Sequence, residues 1–148
     1  MPHFGLMDEQ EMGPEEGPLL RARLHIRSGR RRLRQGKTAA AVATLADALN
    51  SAFRWYLAAA ERRRQLQVQD GENLNDDRTL HRILVRSGVL DGSFDYDAFD
   101  RDLERALEGE ETGIDGEKMM ADLESLMLQL GVMPLDEEAL PPENPETY

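Results

Sequence analysis

Cysteine is absent from the 148-residue chain. Its absence excludes disulfides, thiol nucleophiles and zinc sites built on thiolate ligands. Aromatic residues make up only 5%, and none falls between Gly17 and Lys37, the stretch richest in positive charge. Single-strand nucleic-acid binders stack bases on rings interleaved with such charge; here Phe53, Trp55 and Tyr56 lie further on, in a segment that reads as core. Lysine is nearly missing: Lys37 and Lys118 are the two exceptions among 18 bases, an Arg bias that GC-rich coding produces as readily as function does. No apolar run approaches the ~18 residues of a membrane span. The N-terminus, MPHFGLMDEQEMGPEEG, carries acids where a signal peptide carries positive charge. These absences give the expectation of a soluble, cytoplasmic protein that does not act at a membrane.

What is present is a charge inversion. Residues 1–16 hold five acids and no base, residues 17–64 hold twelve bases against two acids, and residues 65–148 hold six bases against twenty-two acids. A chain of net charge −11 thus contains a strongly basic interior segment, which implies either a docking surface for an anionic partner or internal charge pairing.

Helical periodicity dominates, with no convincing strand run. The spacing predicts an all-α fold: a small bundle of about five helices (18–35, 38–64, 76–87, 94–108 and 115–130) built on an antiparallel αα-hairpin. In the first helix Leu19, Ala22, Ile26, Gly29 and Leu33 share a face. Gly29 costs helix propensity there and marks a close approach to a neighbour. The second helix is the most apolar; Val42, Leu45, Leu49, Ala52 and Tyr56 form one seam, widened by Ala46, Phe53 and Leu57, so that it must touch more than one partner. Trp55 projects from another side, toward a third helix or a second subunit. Asn75 and Ser93 are read as N-caps of the third and fourth helices, and Arg62, Arg63 and Arg64 as a solvated helix end. The fourth helix turns Tyr96, Phe99, Leu103, Ala106 and Leu107 inward, and the last turns Met119, Met120, Leu123, Leu126, Met127 and Leu130 inward. The single domain is expected over 18–133, between a flexible acidic segment, 1–17, and a disordered acidic tail, 134–148, in which four Pro and five acids fall.

Arg23, Arg27, Arg30 and Arg34 line one edge of the first helix, with Arg31 beside them. Asp97, Asp100, Glu104 and Glu108 line the matching edge of the fourth helix. The expectation is that the two lines flank a helix–helix contact, within one chain or between two, as charged edges flank a coiled-coil seam. In the competing reading the arginines stay open and meet nucleic-acid phosphate, with affinity falling steeply with salt. Arg23, Arg27, Arg30, Arg31, Arg34 and Trp55 are therefore the candidate partner-binding residues.

Catalytic signatures do not emerge. His3, His25 and His81 are scattered, without HExxH spacing, and His25 and His81 read as surface or rim residues. The run Asp91 to Asp97 departs from a calcium loop, with Tyr96 at the sharp-turn glycine position and Asp102 where the bidentate Glu belongs. Gly36-Lys37-Thr38 lacks the upstream glycine and strand of a P-loop. No catalytic pair, cofactor or metal is expected.

Residues 30–58, RRRLRQGKTAAAVATLADALNSAFRWYLA, resemble the helical hairpin of HEPN-type and tetratricopeptide-type domains. The likeness lies in the basic helix ending in Gln35-Gly36-Lys37 and in the small or apolar residues Ala40, Ala43, Ala46, Leu49 and Ala52. A HEPN-type resemblance implies a helical bundle that frequently dimerises; the Arg-x4–6-His motif that carries RNA cleavage in some members is absent. A tetratricopeptide resemblance implies peptide binding, although no 34-residue repeat recurs. The function expected from these readings is non-enzymatic: a helical protein-interaction module that associates with a protein partner or with itself, the alternative being RNA or DNA binding through the Arg-rich helix.

Overall fold

The computed structural model describes residues 12–145. They form the helices α1 (Glu16–Arg34), α2 (Thr38–Ala58), α3 (Ala60–Arg63), α4 (Asp77–Arg86), α5 (Tyr96–Leu107) and α6 (Gly116–Leu130), then a 3-10 turn, Glu137–Ala139. No strand occurs among the described residues. The fold is all-α, and α1 and α2 form a packed hairpin.

Helix α2 is the hub: it contacts α1, α3, α4, α5 and α6. Its breadth of apolar residues is the cause. Val42, Leu45, Leu49, Ala52, Phe53 and Tyr56 are all buried, and they meet Leu80 and Leu84 of α4, Phe99 and Ala106 of α5, and Leu123, Leu126, Met127 and Leu130 of α6. Against its other flank lies α1, whose Ala22 and Ile26 are fully buried. A Cβ at Gly29 would come within 2.7 Å of Leu45 Cγ, so this glycine lets the two helix backbones approach as its placement in the stripe requires. The α6 face is buried as its spacing indicates, and Met119, Met120 and Met127 are core. On α5 the apolar face is narrower than the spacing suggests, because Leu107 in its last turn is 72% exposed.

Helix ends follow local chemistry. The second helix does not continue to residue 64; it breaks at Ala59, which is extended (φ −107°, ψ 131°). Beyond Ala60 the sequence offers Glu61 and three arginines, nothing that would hold a further turn in the core, and tertiary burial sustains most helices. Arg62 is not a solvated end: its Nε donates to Tyr56 O (3.1 Å) and its Nη2 to Trp55 O (2.7 Å), satisfying terminal carbonyls of α2. The cap of α4 is Asp76, accepting from Thr79 N, and that of α5 is Asp95, accepting from Ala98 N. Asn75 and Ser93, the residues favoured from sequence, sit one and two positions too early. Their backbone amides are instead taken up by Asn73 and Asp91.

The segment after α6 departs most from its sequence character. A Schellman turn ends the helix at Gly131 (φ 98°), with Val132 N donating to Met127 O at 3.0 Å. Val132 is fully buried, and the acidic, Pro-rich stretch to residue 145, read as disordered, lies against α1. Residues 1–11 of the N-terminal segment read as flexible, and 146–148 of the tail, fall outside the described residues.

Candidate interaction surface on the first helix

Helix α6 runs antiparallel to α1: Leu33 packs over Gly116 at its start, Arg30 reaches Glu124 in its middle, and Arg23 reaches Val132 beyond its end. The basic edge of α1 therefore faces α6 and the C-terminal segment, not the acidic edge of α5. The expected partner line is engaged elsewhere: Asp97 and Asp100 pair with Arg78 of α4, and Glu104 is exposed.

Each arginine of the α1 line has a distinct surrounding. Arg23 Nε donates to Val132 O at 3.1 Å, fixing the direction in which the chain leaves α6. Arg30 Nε lies 2.9 Å from Glu124 Oε1, and its Nη1 lies 3.6 Å from Glu137 Oε1. The chain then turns back through the 3-10 turn and Pro141-Pro142 to set Glu143 between two arginines. Glu143 Oε1 is 3.2 Å from Arg27 Nε, and Glu143 Oε2 accepts from Arg31 Nη1 at 2.7 Å. Arg34 is exposed and makes no ion pair with another described residue.

Burial ranks these contacts. The side chains of Arg27, Arg31 and Glu143 are 10%, 9% and 14% exposed, so the Glu143 carboxylate neutralises two guanidinium groups taken largely out of water. Removing one partner of such a pair costs about 3–5 kcal/mol, because the other charge stays desolvated. The Arg30–Glu137 contact is longer, and Glu137 is half exposed; contacts of that kind contribute about 0–1 kcal/mol.

Trp55 is half-buried and has contacts within its own chain. The Arg62 guanidinium lies over its ring, 3.9 Å from the centroid, and its edge faces Gly131, where a Cβ would stand 3.4 Å from the indole. Trp55 of α2 and Arg23 of α1 thus hold the same turn, Gly131-Val132, from two sides.

His25 is not a surface residue. It is 5% exposed between α1 and α2, with Nε2 2.8 Å from Asp47 Oδ2, an oxygen that Arg21 Nε approaches at 3.6 Å. The hydrogen bond from His25 holds the Asp47 carboxyl below the ordinary carboxylate range. His81 is half-buried; its ring packs on Phe94 and Tyr96, with centroids 5.8 and 5.3 Å away. Burial lowers its pKa and, with the nearby carboxylates of Asp77 and Asp100, raises that of Tyr96 to about 12. These groups line a cleft of about 550 Å³ with Arg78, Arg82, Ser93 and Asp95. In this cleft Arg78 is held by Asp97 and Asp100, and Asp95 caps α5. Among the described residues no cluster of three or more His, Cys, Asp or Glu is placed to hold a metal ion, and no helix is long and apolar enough to cross a membrane.

Sequence reasoning brought Arg23, Arg27, Arg30 and Arg31 to one edge and missed Glu124, Glu137 and Glu143, which meet them. The available signal was Arg27 and Arg31, four residues apart beside the apolar stripe, a place where buried cations demand a carboxylate. No protein-family model, curated protein or solved structure matches the chain.

Proposed function

We propose that this protein is a non-enzymatic interaction module that associates through its charged helical surfaces with a protein partner, in the first instance a second copy of itself. The observation that carries the reading is the engagement of Arg27, Arg30 and Arg31 by carboxylates of the same chain. A surface built for phosphate holds its guanidinium groups toward solvent; this one surrounds them with the acids of α6 and of the segment after it. The resemblance of residues 30–58 to a hairpin that frequently dimerises supports the same reading.

RNA or DNA binding through the α1 arginines is disfavoured because Arg34 is the one member of the line whose side chain has neither an ion pair nor a hydrogen bond to a described residue. A single phosphate contact on duplex gives a salt slope near −0.9, too shallow for useful affinity at physiological salt. Sedimentation equilibrium across a hundredfold concentration range, beside anisotropy titrations of labelled RNA and DNA at ~50 and ~200 mM salt, tests the proposal. Reversible self-association with no salt-dependent nucleic-acid binding is the expected outcome. A monomer at all concentrations that binds RNA or DNA steeply at low salt overturns it.

A further inference from the structure

We infer that the Arg27–Arg31 edge of α1 is a docking groove for a short acidic peptide that turns back on itself, and that residues 134–145 occupy it in cis as an internal competitor. The inference rests on the reading of the chain as an interaction module and names the class of partner for that surface.

Three observations carry it. First, the occupant has the character of a linear ligand. After Val132 no residue of the described segment is fully buried, and its regular structure is 3-10 alone, the turn Glu137–Ala139 and Pro145. Its grip includes half-buried Leu135 and Leu140 and the carboxylates of Glu137 and Glu143. Segments held by few apolar contacts open locally below the global unfolding free energy. Second, the groove beneath is set by the fold. Arg27 and Arg31 stand one turn apart on a 19-residue helix packed on α2, and Arg30 is oriented by Glu124 of α6, a residue outside the segment. Third, the spacing of the cations matches carboxylates on a peptide that doubles back. Glu143 lies between Arg27 and Arg31, and Glu137 lies beside Arg30.

When the segment lifts, the Glu143 carboxylate leaves its place between Arg27 and Arg31, and a carboxylate of an external peptide takes that place. A short acidic peptide whose Pro residues limit its freedom before it binds, and which turns back on itself, does so at reduced ordering cost. The cis segment sets the threshold, since a tethered competitor acts at an effective concentration in the millimolar range. Occupancy by an external peptide accordingly requires a tighter peptide, a weakened segment or both.

The test uses the full chain carrying Glu137→Gln and Glu143→Gln, titrated into a fluorescein-labelled synthetic peptide of residues 134–145 and read by anisotropy. The variant is expected to bind the peptide at least tenfold more tightly than the wild type. Adding Arg27→Gln and Arg31→Gln should abolish binding, as should replacing Glu137 and Glu143 of the peptide by Gln. A variant with the wild-type circular dichroism spectrum and no peptide binding overturns the proposal, as does a preference for a labelled RNA of equal length over the peptide. Hydrogen exchange of the wild type supplies the second measurement should the variant fail to fold. Amides of 134–145 exchanging well before those of α2 support a segment that opens alone, whereas exchange only with global unfolding makes it part of the core and overturns the inference. A wild type that stays monomeric beside a variant that binds peptide discards self-association and keeps the groove; the reverse pattern keeps self-association and discards the groove.

Discussion

Gly29 of α1 lies directly against the isobutyl group of Leu45 on α2, so that any β-carbon at position 29 would overlap it. The sign of a substitution at position 29 therefore depends on the residue at 45. Gly29→Ala gains about 1 kcal/mol of helix propensity but overpacks the interface at a cost of about 1–3 kcal/mol, and it is expected to lower the urea midpoint. In a Leu45→Ala background, itself about 2–5 kcal/mol less stable, the same change should raise the midpoint. Destabilisation of equal size in both backgrounds would show that the contact does not set the effect.

Gly131 ends α6 at φ 98° with the Trp55 indole beside it. Gly131→Ala is expected to cost about 1–3 kcal/mol, since a side chain at positive φ is strained, and to shift the emission of Trp55, the only tryptophan of the chain. Wild-type stability with unchanged emission would mean that this turn is loosely held.

The caps of α4, α5 and α6 are all aspartates: Asp76, Asp95 and Asp115 each accept from the amide three residues on. Asp115→Ala should destabilise by about 1 kcal/mol, while Asp115→Asn, which keeps an acceptor oxygen, should lose only a few tenths. Thermal or urea unfolding of the two variants distinguishes capping from the bare effect of charge near a helix N-terminus, which would make them equally unstable.

Glu72 receives two hydrogen bonds from Arg86, at 2.7 and 2.8 Å, and one from Gln69 N at 2.7 Å. The Arg86 hydrogen bonds, foremost among these causes, depress its pKa from the ordinary 4.5 to about 2. A depressed carboxylate stabilises the fold above its unfolded-state pKa, and that contribution is lost as pH falls from about 4.5 to 2, where the unfolded chain takes up the proton first. Stability should fall over this window less steeply in Glu72→Gln than in the wild type, and carbon-detected NMR of the Glu72 carboxyl should show a midpoint near 2. A midpoint at the ordinary value would mean that the Arg86 contact does not persist in solution.

The hairpin and the buried face of α6 were legible because three-and-four spacing of Leu, Ile, Ala and Met states directly which side of a helix leaves water. The same spacing aligned Arg23, Arg27, Arg30 and Arg34 but could not say which neighbour their edge confronts, since that depends on how α5 and α6 distribute around α2. His25 was misplaced because only apolar residues were counted as inward; Asp47 on the facing helix makes an interior position tolerable for it. Glu143 was hidden by its own context. Pro and Glu around it read locally as disorder, while the residue it meets, Arg31, lies 112 residues away in sequence.

The pairing of α1 with acids near the far end of the chain also has a dimension in time. Glu137 and Glu143 follow Arg34 by more than a hundred residues. At about 5–20 residues per second of synthesis, the hairpin of α1 and α2 can form several seconds before those carboxylates exist. For Arg27 and Arg30 the order of synthesis therefore sets cation and carboxylate apart in time, although they are neighbours in the finished fold.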